Sequence, residues 1–61
     1  MKQFFSIDKQ GRTVMPCSIT KQWEVDALER VADQNGYIPI DEYQIVMTFI
    51  QNTRETKRKQ N

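Results

Sequence analysis

The sequence predicts an α+β fold in which an N-terminal β-hairpin or ribbon is followed by two amphipathic helices, with a second copy of the chain completing the core. Three observations predict it. Two short apolar and β-branched runs flank a polar turn that contains glycine. An apolar residue then recurs at every fourth position from Ile19 to Val31, and a second apolar set falls at i, i+3, i+4 and i+7 from Tyr43 to Ile50.

Taken in order, Phe4 to Ile7 and Thr13 to Met15 are the two runs of the hairpin, joined by Asp8-Lys9-Gln10-Gly11-Arg12. Glycine in that turn supplies the positive φ that a tight reversal needs. Pro16 has no N–H to give a ladder, so it ends the second strand or confines it to an edge. From Ser18 to Gln34 the spacing becomes helical: Ile19, Trp23, Ala27 and Val31 form a stripe that Leu28 and Ala32 widen. Ser18 or Thr20 can cap its start, and Asn35-Gly36 can close its end in the left-handed conformation. Tyr37-Ile38-Pro39-Ile40 is extended, as the residue before proline prefers.

Asp41 then caps a second helix with Tyr43, Val46, Met47 and Ile50 on one face. In the same stretch Tyr43, Ile45, Met47 and Phe49 alternate as a strand would. The length of the run, and its uninterrupted passage into Glu55 to Lys59, favour the helix. Trp23, Tyr43 and Phe49 read as core aromatics. No internal repeat, low-complexity tract or linker is visible; residues 1–52 form a single small domain, and residues 53–61 a basic, frayed tail.

Size sets the next bound. At 61 residues a domain buries only about 60% of the surface its unfolded chain exposes, so its core is marginal. The single cysteine, Cys17, cannot bridge internally, and the sequence has no histidine, which removes the commonest metal ligand and the commonest general base. Neither a metal nor another cofactor is therefore expected. Without histidine a nucleophile and base can be assembled only from lysine or carboxylates, so a binding protein is expected rather than an enzyme. Homodimerisation is the remaining way to finish the core. No run of about 18 apolar residues exists, and the apolar part of the N-terminus is too short for a signal peptide, so a cytoplasmic protein that does not enter a membrane is expected.

The net charge of +1 is unevenly spread. Residues 1–20 carry Lys2, Lys9 and Arg12 against Asp8, or +2. Residues 21–50 carry Lys21 and Arg30 against Glu24, Asp26, Glu29, Asp33, Asp41 and Glu42, or −4. Residues 51–61 carry Arg54, Lys57, Arg58 and Lys59 against Glu55, or +3. A bound polyanion would be met at the two ends.

Three local patterns resemble known families. Ile7-Asp8-Lys9-Gln10-Gly11-Arg12-Thr13-Val14-Met15-Pro16, followed by Ile19, Trp23 and Val25, resembles the opening of the AbrB and MazE family of swapped-hairpin DNA-binding domains over residues 1–25. That resemblance implies that Arg12, with Lys9, faces DNA. Beyond Val25 it weakens, since the Gly-Asp turn of that family is reduced to Asp26. Leu28-Glu29-Arg30-Val31-Ala32-Asp33-Gln34-Asn35-Gly36, followed by Glu42-Tyr43-Gln44-Ile45-Val46-Met47, is similar to the two helices of the Arc and Mnt ribbon-helix-helix repressors. This second resemblance implies an intertwined dimer whose paired ribbon lies in the major groove. The ribbon would fall within Thr13 to Thr20, with Met15, Cys17 and Ile19 inward and Ser18 and Thr20 towards the bases. Pro16 departs from that pattern. Asp33-Gln34-Asn35-Gly36-Tyr37-Ile38 with Glu42 resembles an EF-hand loop, but Val31 stands where its first carboxylate belongs and Pro39 at its ninth position, so calcium binding is not expected.

Together these readings lead to an expected function: a small DNA-binding transcriptional regulator or antitoxin-like repressor, acting as a homodimer on double-stranded DNA. Lys2, Lys9 and Arg12 would supply contacts from the hairpin, Ser18 and Thr20 from the ribbon, and Lys57, Arg58 and Lys59 sequence-independent attraction. The competing expectation is a modulator that docks its acidic helical face, dominated by residues 21–50, on a basic protein partner.

Overall fold

A computed structural model describes the backbone of residues 3–59 and the side chains of residues 3–57. Two short strands, β1 (Ser6–Ile7) and β2 (Thr13–Val14), are followed by two helices, α1 (Gln22–Val31) and α2 (Ile40–Lys59). The strands pair antiparallel, Ser6 opposite Val14 and Ile7 opposite Thr13. This is the predicted α+β order of hairpin, helix, helix.

On its other side β1 is flanked by the chain that leaves α1. Phe5 and Tyr37 form a parallel bridge, in which Phe5 N–H donates to the Gly36 carbonyl at 2.9 Å and Ile38 N–H to the Phe5 carbonyl at 2.8 Å. Their rings lie 5.6 Å apart at 58°. The N-terminal segment therefore sits between two extended neighbours, one on each edge.

Phe4, Leu28, Ile38, Val46 and Ile50 form the buried core, with Ile19, Trp23, Val25, Val31, Tyr43 and Met47 packed against it. The predicted face of α2 is correct: Val46 and Ile50 are buried, Tyr43 and Met47 half-buried. The alternating strand pattern loses because only the helix puts those four on one side. Phe49 departs from expectation, being 54% exposed.

Four boundaries also differ from those read off the sequence. α1 starts at Gln22 with Lys21 as its cap residue, not at Ser18 or Thr20. Ser18 instead adopts φ 57°, outside any helix start. At the other end Ala32 is extended with φ −87° and ψ 149°, so α1 ends before Asn35-Gly36 is reached. Asp41 lies inside the first turn of α2 rather than ahead of it, because Ile40 is already helical and Tyr43 N–H donates to the Pro39 carbonyl at 2.8 Å. The stretch from Thr53, expected to fray, continues α2 to Lys59. Met15 and Cys17 are exposed where an inward ribbon face was expected, and only Ile19 of the three packs on the core.

One turn pattern, Asp-x-x-Gly-x, is used twice. In Asp8-Lys9-Gln10-Gly11-Arg12, Asp8 Oδ1 accepts from the N–H groups of Gln10 and Arg12, both at 2.9 Å. In Asp33-Gln34-Asn35-Gly36-Tyr37, Asp33 Oδ1 accepts from Asn35 at 2.8 Å and Tyr37 at 3.0 Å. Each glycine N–H donates to the carbonyl of its aspartate at 3.0 Å, and each aspartate N–H donates to the carbonyl of the fifth residue at 2.9 Å. The glycines have φ 84° and 89°. One aspartate carboxylate thus replaces the backbone partners that a reversing chain loses.

The two turns differ in their surroundings. A Cβ at Gly11 would meet nothing within 4 Å, whereas one at Gly36 would lie 2.0 Å from the Gln3 carbonyl oxygen. Gly11→Ala should therefore lower stability only by the left-handed backbone cost, about 1 kcal/mol. Gly36→Ala adds a clash with the backbone of the neighbouring segment, and its loss of stability in urea unfolding should be several-fold larger. Ser6 points inward from β1 and its Oγ is fully buried with no hydrogen-bond partner among the described residues. Removing an unpaired buried hydroxyl relieves its desolvation penalty, so Ser6→Ala should leave the urea midpoint unchanged or raise stability by up to about 1 kcal/mol.

Candidate nucleic-acid interface

Lys9 and Arg12 stand on the turn that Asp8 organises, and both are exposed. Arg12 donates its backbone N–H to Asp8 Oδ1, while neither guanidinium nor ammonium forms an ion pair among the described residues. Two cations on a hydrogen-bonded turn, without an ion-pair partner among the described residues, are side chains of the type that contact phosphate. Lys9 shares a shallow surface depression with Gln10, Ile40 and Gln44, which places the turn at the N-terminal end of α2.

Lys57 lies at the opposite end of that helix, its Nζ 4.6 Å from the centroid of the Trp23 ring. Lys57 is seventeen positions beyond Ile40, about 25 Å of helix at 1.5 Å per residue. Of the expected DNA contacts, Lys9 and Arg12 are therefore at one end of α2 and Lys57 at the other. Ser18 and Thr20 are exposed and belong to the Lys57 end, because the Ser18 carbonyl accepts from Arg54 Nη2 at 3.1 Å. Lys2 lies outside the described residues, as do the side chains of Arg58 and Lys59.

Arg54 was counted in the basic tail, and Glu24 in the acidic middle. The fold removes both from those totals. Arg54 Nε donates to Glu24 Oε2 at 2.5 Å, and Glu24 is 1% exposed. The other carboxylate oxygen, Oε1, accepts from the backbone N–H groups of Thr20 at 3.2 Å and Lys21 at 3.3 Å. This is the acidic half of a capping box; Lys21 has no acceptor with which to return the bond. Nothing in the spacing of Glu24 and Arg54, thirty residues apart, announced the pair. The only hint was a carboxylate three residues into α1, where a capping box would place it.

With this pair neutral, residues 21–50 fall from −4 to −3 and residues 51–61 from +3 to +2. Asp26, Glu29 and Asp33 remain exposed at α1 and just beyond it. Among the described residues no group of three or more acidic, cysteine or histidine side chains is placed to hold a metal. No described helix is long and apolar enough to cross a membrane. No family model, curated protein or solved structure matches this chain.

The Arg54 hydrogen bond is the largest influence on Glu24 and holds its carboxyl below the ordinary value of 4.5, against the upward push of burial. A carboxyl with a lowered folded-state pKa stabilises the fold above its unfolded value and loses that contribution as the pH falls towards the folded one. Stability should thus decline below about pH 4.5, and Glu24→Gln should remove that part of the acid dependence. Arg54→Ala leaves the Glu24 carboxylate without its cation and should lower the urea midpoint at neutral pH.

Proposed function

We propose that this chain is a non-enzymatic DNA-binding regulator, repressor- or antitoxin-like, that works in the cytoplasm as a homodimer. The observation that carries the reading is the Asp8 turn, which holds Lys9 and Arg12 exposed and, among the described residues, without an ion-pair partner, on a backbone fixed by two side-chain and two main-chain hydrogen bonds. Pre-ordering the backbone lowers the entropy lost when those cations meet phosphate. Lys57 and the basic residues beyond it add attraction at the other end of α2. The resemblance of the N-terminal residues to swapped-hairpin DNA-binding domains agrees with the turn as the contact element, and both resemblances imply a dimer.

A second reading is favoured by a separate observation. A groove of about 340 Å³ is lined by Phe4, Met15, Pro16, Ile19 and Val25 together with Gln3 and Glu29. An apolar side chain flanked by a basic one on a protein partner would suit it, and the exposed Asp26 and Asp33 would extend that attraction.

Retardation of a mixed duplex pool at low salt separates the two. Under the DNA reading the chain shifts the pool, and affinity falls steeply as salt rises. Arg12→Ala then weakens binding to all sequences and reduces the slope of log affinity against log salt by about 1. Absence of any shift at low salt, together with recovery of one defined protein that Met15→Lys releases, would replace this reading with the second.

A further inference from the structure

The face of α2 that turns away from the core carries Ile45 and Phe49, 68% and 54% exposed, one helical turn apart. Exposed Thr48, Asn52 and Thr56 extend the same stripe. Phe49 is held from one side by Trp23, ring centroids 6.5 Å apart at 86°, so it presents a fixed aromatic edge and not a loose side chain.

Charge along this helix is divided. Asp41 and Glu42 stand at its start; the eleven residues from Tyr43 to Thr53 carry no charge; Lys57, Arg58 and Lys59 outnumber Glu55 at its end, with Arg54 already paired. Such a helix is complementary to a reversed copy of itself. A parallel copy would set acid beside acid and base beside base.

We infer that α2 is the dimer surface, pairing antiparallel with α2 of a second copy about a two-fold axis at Phe49. Residue n of one helix is then level with residue 98 − n of the other. Phe49 meets Phe49 of the second copy, extending the Trp23–Phe49 contact into a row of four rings. Ile45 is level with Thr53 and lies between Phe49 and Thr56 of the facing helix. Asp41 is level with Lys57. Desolvated aromatic side chains at the centre of a patch, ringed by polar and charged groups, are the usual arrangement of an energetically dominant contact.

The antiparallel arrangement also brings the Lys9 and Arg12 turn, at the start of one α2, beside the basic end of the other. Each end of the dimer then carries cations from both copies. The inference rests on the preceding reading for the existence of a dimer, and it names the surface.

Sedimentation equilibrium of the whole chain without DNA tests it. The wild type should be a dimer, and Ile45→Glu should raise the dissociation constant on the order of a hundredfold or more, since two buried isoleucines are lost per dimer. Ile45 is the more exposed of the pair, so circular dichroism and thermal unfolding should show the variant still folded. Nitroxide labels on Thr48→Cys, in a Cys17→Ser background, should lie about 3 Å apart along the helix axis, and those on Thr56→Cys about 21 Å apart. Two short separations would mean a parallel pair and overturn the arrangement. A monomeric wild type, whether or not it captures another protein through this face, overturns the inference, as does a dimer indifferent to Ile45→Glu. Duplex binding measured separately on the same samples distinguishes the outcomes: a dimer that ignores DNA ends the functional reading alone, and a monomer that binds DNA ends the dimer surface alone.

Discussion

The carboxylate of Glu24 holds three parts of the chain at once. Through Oε1 it satisfies the N–H groups of Thr20 and Lys21 ahead of α1, and through Oε2 it binds Arg54, nearly four turns into α2. Arg54 in turn reaches the Ser18 carbonyl. The four residues that lead into α1 have no strand or helix of their own, and this pair is what gives their backbone fixed partners. It also explains where α1 begins. A cap formed by a glutamate reaching back three residues selects Lys21 as the boundary, and it leaves Ser18 free to take the left-handed conformation that turns the chain away from β2. In a domain with five buried apolar side chains among the described residues, a buried charge is tolerable only because both its oxygens are bonded.

The other organising device is the aspartate-glycine turn, used once to close the hairpin and once to bring the chain from α1 back to the N-terminal segment. Its second use does more. Gly36 passes so close to Gln3 that no side chain fits between them, and that approach is what lets Gly36 and Ile38 bracket Phe5 with two hydrogen bonds. The bridge fixes Ile38, fully buried, between the hairpin and the helices. Sequence-distant parts of a very small core are thereby joined through main-chain contacts rather than through additional apolar area, which a chain of this length lacks.

Periodicity revealed the elements whose apolar spacing matches their burial. Tyr43, Val46, Met47 and Ile50 were readable as a face because α2 lies on the core along that line and nothing polar interrupts it. α1 was harder, because its most buried positions are Glu24 and Leu28, and a glutamate cannot be counted into an apolar stripe. Asn35-Gly36 suggested a helix end for a good local reason, since glycine there is indeed left-handed; Asp33 captures it five residues after the helix has stopped. The tail is the plainest case of tertiary override. Residues from Thr53 onward look solvated by composition, yet Arg54 on Glu24 and Lys57 over Trp23 attach them to α1, and the helix continues because its side chains have partners. Of the candidate site, the Asp8 turn and its two cations were evident from five consecutive residues, whereas the distance between the two basic groups depends on a helix length that composition understated.

That distance constrains any function built on charge. A single copy presents Lys9 and Arg12 at one end of α2 and Lys57 at the other, with the acidic start of the helix and the exposed carboxylates of α1 between them. One polyanion lying along this molecule would meet repulsion in the middle, so the basic ends are more effective if brought together than if bridged. Reversal of a second α2, as inferred above, would accomplish this without moving any residue within the chain, since it would set the turn of one copy beside the helix end of the other. The same reversal would cover Ile45 and Phe49, the two exposed large apolar side chains of α2. Under that arrangement burial of those residues and concentration of positive charge are two consequences of one symmetry operation, and the uncharged stretch between Tyr43 and Thr53 is what would permit both.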